Sequence, residues 1–143
     1  MSPINILLVE DNEGDILLTK EALLEGELLN DLQVVRDGWE ALQYLDKKEK
    51  YSSALTPDLI LLDINLPKMN GHEVLKKIKS NDKISQIPVI ILSTSCSKND
   101  INLCYKNQAN CYISKPVDAN DFSKVISSIE NFWLTTVKLP VNK

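Results

Sequence analysis

The sequence lacks a basic excess, a cysteine pair and a long apolar run, and each absence excludes a class of protein. With 16 Lys and Arg against 20 Asp and Glu, its formal net charge is -4. This argues against a nucleic-acid partner, because binding to the phosphate backbone depends on clustered positive charge. The three cysteines, Cys96, Cys104 and Cys111, are odd in number and form no CxxC pair. Neither a disulfide framework nor a zinc site is therefore expected.

No apolar run approaches the length that spans a bilayer, and residues 1–5 contain no basic segment of the kind that opens a signal peptide. We therefore expect a soluble, cytoplasmic protein with no membrane partner. The 143 residues, 43% of them hydrophobic, fit one ordinary domain with a substantial core.

The most informative stretch is an apolar run from Leu59 to Leu62 that ends on the carboxylate of Asp63. Pro67 and then Asn70 and Gly71 prevent either regular structure from continuing through the next residues. A run without polar alternation is typical of a strand buried on both faces of a parallel sheet. The pattern predicts such a strand with Asp63 at its C-terminal tip.

Strand patterns and helix patterns alternate along the whole chain. The predicted strands are residues 4–9, 32–35, 59–62, 88–92 and 111–113, and the predicted helices are residues 16–24, 39–45, 73–80, 99–107 and 122–133. Strict alternation implies right-handed crossovers and a parallel sheet covered by helices on both faces. The expected fold class is therefore α/β, with five strands and five helices.

Polar residues follow four of these strands, namely Glu10 with Asp11, then Asp63, Ser93 and Lys115. In a doubly wound sheet the carboxyl ends of the strands meet at one edge, where ligands bind. Neighbouring carboxylates repel unless a cation neutralises them, and oxygen ligands suit a hard ion such as Mg²⁺. We infer a magnesium site that includes Asp11 and Asp63.

The same set of residues suits a phosphoryl group carried on Asp63. Lys115 can balance its charge, and the hydroxyl of Ser93 can hydrogen-bond to one of its oxygens. An aspartate can accept phosphoryl covalently, and the transfer depends on positioning and charge neutralisation more than on acid or base catalysis.

Four motifs in order resemble the receiver domain of two-component response regulators. They are Glu10-Asp11-Asn12, the segment from Asp63 to Gly71, Ser93-Thr94-Ser95 and Lys115-Pro116, and the similarity covers residues 4–132. The resemblance implies a flavodoxin-like (βα)5 fold with strand order 2-1-3-4-5. It also implies a receiver domain over residues 1–133 and a C-terminal tail over residues 134–143, with no separate output domain.

The resemblance implies a role for each matching residue. Asp63 would be the phosphoacceptor, Ser93 the switch hydroxyl, Lys115 the family's lysine and Tyr112 the aromatic switch, with a cis bond before Pro116. The metal ligands would be Asp11 and Asp63 directly, Glu10 through a water and Asn65 through its backbone carbonyl. Ser93 stands where threonine is commoner, and Glu10 where aspartate is commoner.

Two further segments, residues 109–113 and 129–140, are similar to single-domain regulators that partner phytochrome histidine kinases. This similarity implies a sensor histidine kinase, of the phytochrome type, as the phosphoryl donor. Such regulators often form homodimers, and the tail continues with apolar residues at Val137, Leu139 and Val141. We therefore expect the final helix and tail to support a homodimer.

The predicted function is a signalling module, not an enzyme, that accepts phosphoryl on Asp63 and changes its surface. One alternative is a phosphohydrolase of the haloacid dehalogenase type, which expects its aspartate nucleophile on the first strand and a second aspartate where Asn65 stands. Another is a degenerate receiver that acts only as a scaffold. Either a terminal regulator or an intermediate that passes phosphoryl to another histidine fits the sequence.

Overall fold

A five-stranded parallel sheet in the order β2-β1-β3-β4-β5 forms the centre of the molecule. The structure is a computed structural model that describes residues 3–26 and 28–141. The strands are β1 (Ile4–Val9), β2 (Asn30–Val35), β3 (Leu59–Leu62), β4 (Val89–Ser93) and β5 (Cys111–Ser114). The predicted α/β class and the strand order implied by the resemblance are both confirmed.

Five α-helices connect or follow the strands. They are α1 (Glu13–Glu25), α2 (Gly38–Leu45), α3 (Gly71–Lys79), α4 (Lys98–Lys106) and α5 (Ala119–Ile129). Each begins after a side chain that accepts a hydrogen bond from an amide of the first turn: Asn12, Asp37, Asn70, Ser97 and Asp118. Every helix starts one to three residues before its predicted start, because caps and polar first turns precede the apolar periodicity that marked the helices in the sequence.

The core lies on both sides of the sheet, and β3 contributes to both. Ile60 and Leu62 pack with α2, α3 and α4, whereas Leu59 and Leu61 pack with α1 and α5. All four side chains are buried, which explains why this strand shows no polar alternation. The unbroken apolar run thus places Asp63 at the end of a central strand.

The end of the chain differs from the prediction. The helix continues past Trp133 as a π-helical segment, Glu130–Thr136, in which the amide of Val137 donates to the carbonyl of Phe132 at 2.9 Å. Leu134 is buried and Leu139 packs against the core beneath α1 and α5, so part of the predicted tail covers its own domain. Residues 142 and 143 of that tail, like residues 1 and 2, lie outside the described residues.

Two further features of the structure are the peptide bond before Pro116 and the length of its helices. The Lys115–Pro116 peptide bond is trans, so the cis bond expected from the resemblance is wrong for this structure. Trans is the lower-energy isomer of most bonds that precede proline. Among residues 3–26 and 28–141, no helix is both long enough and apolar enough to cross a membrane.

Candidate functional site

Backbone hydrogen bonds between neighbouring strands bring the predicted site residues to one edge of the sheet. The amide of Asp63 donates to the carbonyl of Val9 at 3.1 Å, which places Asp63 beside Glu10. The amide of Lys115 donates to the carbonyl of Ser93 at 2.7 Å. The predicted neighbours therefore meet because their strands end in register.

Lys115 lies at the centre of the acidic group. Its ammonium Nζ is 2.5 Å from Oε1 of Glu10, 3.3 Å from Oδ2 of Asp63 and 3.0 Å from Oδ2 of Asp15. The lysine side chain is 4% exposed, so these carboxylates replace the water that would otherwise solvate it. Asp15 was not predicted as a site residue. Its position four residues after Asp11, directly before the helix predicted over residues 16–24, is the signal that could have identified it.

Three carboxylates lie close enough together to hold one cation. Glu10, Asp11 and Asp63 each offer an oxygen, and these atoms all lie within 4.8 Å of one another. Glu10 and Asp63 are buried while Asp11 is exposed, so the cluster is open to solvent on one side. An all-oxygen donor set fits a hard divalent cation. The donor chemistry of the described residues thus suits the predicted metal.

The buried charges of this cluster shift the pKa values of two groups. The pKa of Glu10 is raised to about 7, first by burial and then by the charge of Asp63, although the hydrogen bond from Lys115 acts in the opposite direction. Burial lowers the pKa of Lys115, but its hydrogen bond to Glu10 and the charges of Asp63 and Glu10 outweigh this and raise the pKa overall. The lysine therefore stays cationic beside Asp63.

The loop after β3 positions Asp63 through short backbone contacts. The amide of Asn65 points to Oδ1 of Asp63 at 3.4 Å, and the amide of Gly71 donates to the carbonyl of Ile64 at 2.7 Å. A Cβ atom on Gly71 would lie 2.3 Å from the carbonyl oxygen of Asp63, so this close approach requires glycine. The metal-ligand role of the Asn65 carbonyl stays a prediction.

Ser93 and Tyr112 each form a hydrogen bond with Ser95. Ser93 is fully buried, and its Oγ accepts a hydrogen bond from the amide of Ser95 at 3.2 Å. The hydroxyl of Tyr112 donates to the carbonyl of Ser95 at 2.8 Å. The two predicted switch residues thus bind the same residue of the loop that follows β4.

A doubly wound sheet with a carboxylate cluster and a buried lysine at its carboxyl edge defines a class of α/β proteins that bind phosphoryl groups and metals at that edge. The family model for the response regulator receiver domain matches residues 6–127. The chain belongs to this family.

Individual response regulators are similar to this chain in sequence and in structure. The chain is 42% identical over 135 residues to response regulator Rcp1 from Synechocystis sp., which covers 94% of this chain and 92% of Rcp1. It superposes on the phosphorylated cyanobacterial phytochrome response regulator RcpA with a TM-score of 0.96, at 45% identity and with 98% of this chain and 100% of RcpA covered. The Mn²⁺-bound form of Rcp1 gives a TM-score of 0.94 at 42% identity, with 97% and 100% covered.

These similarities confirm several predictions. The chain is a response regulator homologous to Rcp1 and RcpA, and receiver domains are signalling proteins, not enzymes. The phosphohydrolase and scaffold alternatives are not favoured. Receiver domains bind a divalent metal, and the cluster of Glu10, Asp11 and Asp63 is where this chain would hold one.

Proposed function

We propose that Asp63 accepts a phosphoryl group in the presence of Mg²⁺ and that this modification changes the surface of the protein. The observation that carries the proposal is the position of Asp63 between the ammonium of Lys115 and the cluster completed by Glu10 and Asp11. Asp63 is 6% exposed and lies at the open edge of the sheet, so a small donor group can reach it while bulk water is largely excluded.

In the transfer, a carboxylate oxygen of Asp63 forms a bond to phosphorus as the phosphorus–nitrogen bond of a phosphohistidine breaks, and the leaving imidazole keeps the bonding electron pair and takes a proton from solvent. Asp11 and Asp63, with the backbone carbonyl of Asn65 and with Glu10 through a water, would hold Mg²⁺, which would neutralise charge on the phosphoryl oxygens. Lys115 neutralises charge on the other side. None of these residues has to act as an acid or base.

The product is an acyl phosphate that places new acceptor oxygens within the pocket. The hydroxyl of Ser93 can donate to one of them if the loop after β4 moves toward Asp63. Tyr112 is bound to that loop through Ser95, so its side chain responds to the same movement. A local charge change is thereby transmitted to the surface formed by α4 and β5.

The proposed donor is a sensor histidine kinase in the cytoplasm, and the likeness to phytochrome regulators supports a phytochrome. Two exposed apolar side chains lie close to pocket residues in the sequence: Leu17 follows Asp15 by two residues on α1, and Val117 follows Lys115 by two residues. They offer the apolar contact that a docking kinase needs beside the acceptor.

We also propose that the face of β5 and α5 forms a homodimer. A groove of about 330 Å³ lies between these elements and the π-helical segment, lined mainly by Cys111, Ile113, Val125, Ile129, Phe132 and Trp133. Phe132 is 55% exposed, so an aromatic ring at the rim of an apolar groove faces solvent in the single chain. A second copy of the same face would cover both the groove and the ring of Phe132.

The test of the proposed function is intact-protein mass spectrometry after incubation with acetyl phosphate. The native chain should gain one phosphoryl group with Mg²⁺ and none after chelation, and Asp63→Asn should gain none. Asp121→Asn, which removes an exposed carboxylate from the first turn of α5, is the matched control and should be modified like the native chain. An adduct on Asp63→Asn, or no adduct on the folded native chain, would overturn the proposal.

A further inference from the structure

Ser95 forms hydrogen bonds with three different parts of the molecule. Its amide donates to Oγ of Ser93, and its carbonyl accepts from Tyr112. Its own hydroxyl donates to Oδ2 of Asp100 at 2.6 Å. Ser95 therefore connects the two switch residues to a carboxylate on α4 that lies outside the acidic pocket.

The second oxygen of Asp100 is bound as well. Oδ1 lies 2.8 Å from Nε2 of His72, the second residue of α3. The amide of Asp100 donates to Oγ of Ser97, the cap of α4, at 3.1 Å. The carboxylate thus bridges the loop after β4 to the start of α3, and both of its oxygens are used.

His72 offers Asp100 a fixed partner. Its Nδ1 lies 3.7 Å from Sγ of Cys104, a buried thiol. Burial, followed by the charge of Asp100, raises the pKa of Cys104 to about 11, so this thiol stays protonated and faces Nδ1 as a weak donor. That arrangement favours the tautomer with its proton on Nε2, which donates to Asp100. His72 also follows Gly71, which packs against the backbone of Asp63.

We propose that Asp100 is a positioning residue of the switch: its carboxylate, held by His72, fixes Ser95 and thereby keeps Ser93 and Tyr112 in their arrangement before phosphorylation. This inference rests on the proposed function of Asp63. Movement of the loop toward a phosphorylated Asp63 must break or stretch the short hydrogen bond between Ser95 and Asp100. A hydrogen bond to a charged acceptor is stronger than one between neutral groups, so the carboxylate resists that movement.

Asp100→Asn is the direct test, with Asp121→Asn as its control. Both aspartates are the third residue of a helix and exposed or half-buried, so both substitutions remove the same favourable charge from a helix N-terminus. An amide at position 100 cannot accept from Ser95 and His72 with both of its ends, because one end carries N–H donors. Only the Asp100 variant loses a contact of the switch.

Two measurements are expected to separate these variants. Phosphorylation of Asp100→Asn by acetyl phosphate with Mg²⁺ should be about threefold to tenfold faster than that of the native chain, the range given by loss of one hydrogen bond that holds the resting state. The Ser95 amide, which donates to Ser93, should exchange its hydrogen several times faster by nuclear magnetic resonance. Asp121→Asn should match the native chain in both.

Substitution of the partners tests the same network without touching Asp100. Ser95→Ala removes the hydroxyl, which donates to Asp100 and accepts from the amide of Ser97 at 3.3 Å, but keeps the hydrogen bonds of its own amide and carbonyl. It should accelerate phosphorylation as Asp100→Asn does, and it serves as the second variant in case Asp100→Asn folds poorly. His72→Gln keeps an N–H donor and should be phosphorylated at close to the native rate, whereas His72→Leu, which has no donor, should not.

The inference would be overturned by equal phosphorylation rates and equal hydrogen exchange in the Asp100 and Asp121 variants. Slower phosphorylation of Asp100→Asn would also overturn it. If the native chain accepts no phosphoryl, the proposed function fails, and hydrogen exchange at Ser95 still decides whether Asp100 holds the loop.

Discussion

At the scale of single residues, the chemistry of this protein depends on how one buried ammonium is shared among carboxylates. Lys115 contacts Glu10, Asp15 and Asp63, and burial dominates the protonation of Glu10. Its pKa rises from 4.5 to about 7. In the metal-free protein, Glu10 therefore holds a proton over a pH range in which the unfolded chain has lost it.

This shift predicts a pH dependence of the free energy of unfolding. Because the folded chain binds more protons between pH 4.5 and about 7, the contribution of Glu10 to stability is present at low pH and is lost as the pH rises through that range. Urea unfolding with a chelator, from pH 5 to pH 8, should show the native chain losing stability relative to Glu10→Gln. A difference between the two proteins that does not change with pH would contradict this.

The cysteines should differ strongly in reactivity. Cys96 is exposed, whereas Cys104 is buried with a pKa raised to about 11 by burial and then by the charge of Asp100. At pH 8 about one in a thousand such thiols is ionised, and the thiolate is the reactive form. Iodoacetamide followed by peptide mass spectrometry should show Cys104 reacting at least about a hundredfold more slowly than Cys96. Comparable rates in the folded protein would show that the thiol is not enclosed.

The sequence revealed the site residues that follow strands but not those on helices. Asp63, Ser93 and Lys115 were identifiable because each interrupts a pattern at a strand end, where position alone predicts proximity. Asp15 and Asp100 stand in the first turns of helices, where acidic residues are common for electrostatic reasons alone. Their contacts with Lys115 and His72 depend on how the helices pack, and no local pattern encodes that.

At the scale of elements, the first turn of α3 differs from that of α1 in how closely it approaches the sheet. A Cβ atom on Gly71 would meet the backbone of Asp63 and Ile64 at 2.3 and 2.6 Å, whereas one on Gly14 would meet only the side chain of Asn12, at 3.2 Å. Helix α3 can therefore start this close to the backbone of Asp63 only if its first residue is glycine.

Gly71→Ala should consequently destabilise the protein by about 1 to 3 kcal/mol, the usual cost of forcing extra volume into a packed site. Gly14→Ala should change the free energy of unfolding by no more than about 1 kcal/mol, since alanine is the better helix former and meets no backbone. Urea unfolding of both variants measures the contrast. Similar effects at the two positions would mean that the loop after β3 yields to an added methyl group.

Apolar periodicity was enough to locate each helix, although each begins at a cap that precedes the periodic residues. The exception is the last helix, whose α-helical part ends at Ile129 and whose π-helical part reaches Thr136. Apolar residues there serve two environments: Leu134 is buried against the domain and Phe132 faces solvent. Periodicity counts both as apolar, so the sequence could not separate a residue that completes the core from one that is exposed at the surface.

At the scale of the whole molecule, substitution of the solvent-facing ring of Phe132 tests the proposed homodimer. Leu55 is a suitable comparison, because it is 62% exposed against 55% for Phe132 yet borders a groove with Asp31 and Gln33 of β2, at the opposite edge of the sheet from β5. If the exposed apolar area alone decided the oligomeric state, a glutamate at either position would have the same effect. The two substitutions differ only if one edge forms an interface and the other does not.

Light scattering at micromolar concentration should therefore give a dimeric mass for the native chain and for Leu55→Glu, and about the 16.1 kDa of a single chain for Phe132→Glu. A charge placed in the apolar groove would have to be desolvated between two copies, which costs more than the contact gains. The measurement should be made with and without phosphorylation, because β5 carries Tyr112, the proposed aromatic switch. A native mass of one chain in both states would exclude the dimer, and dissociation by Leu55→Glu would place it elsewhere.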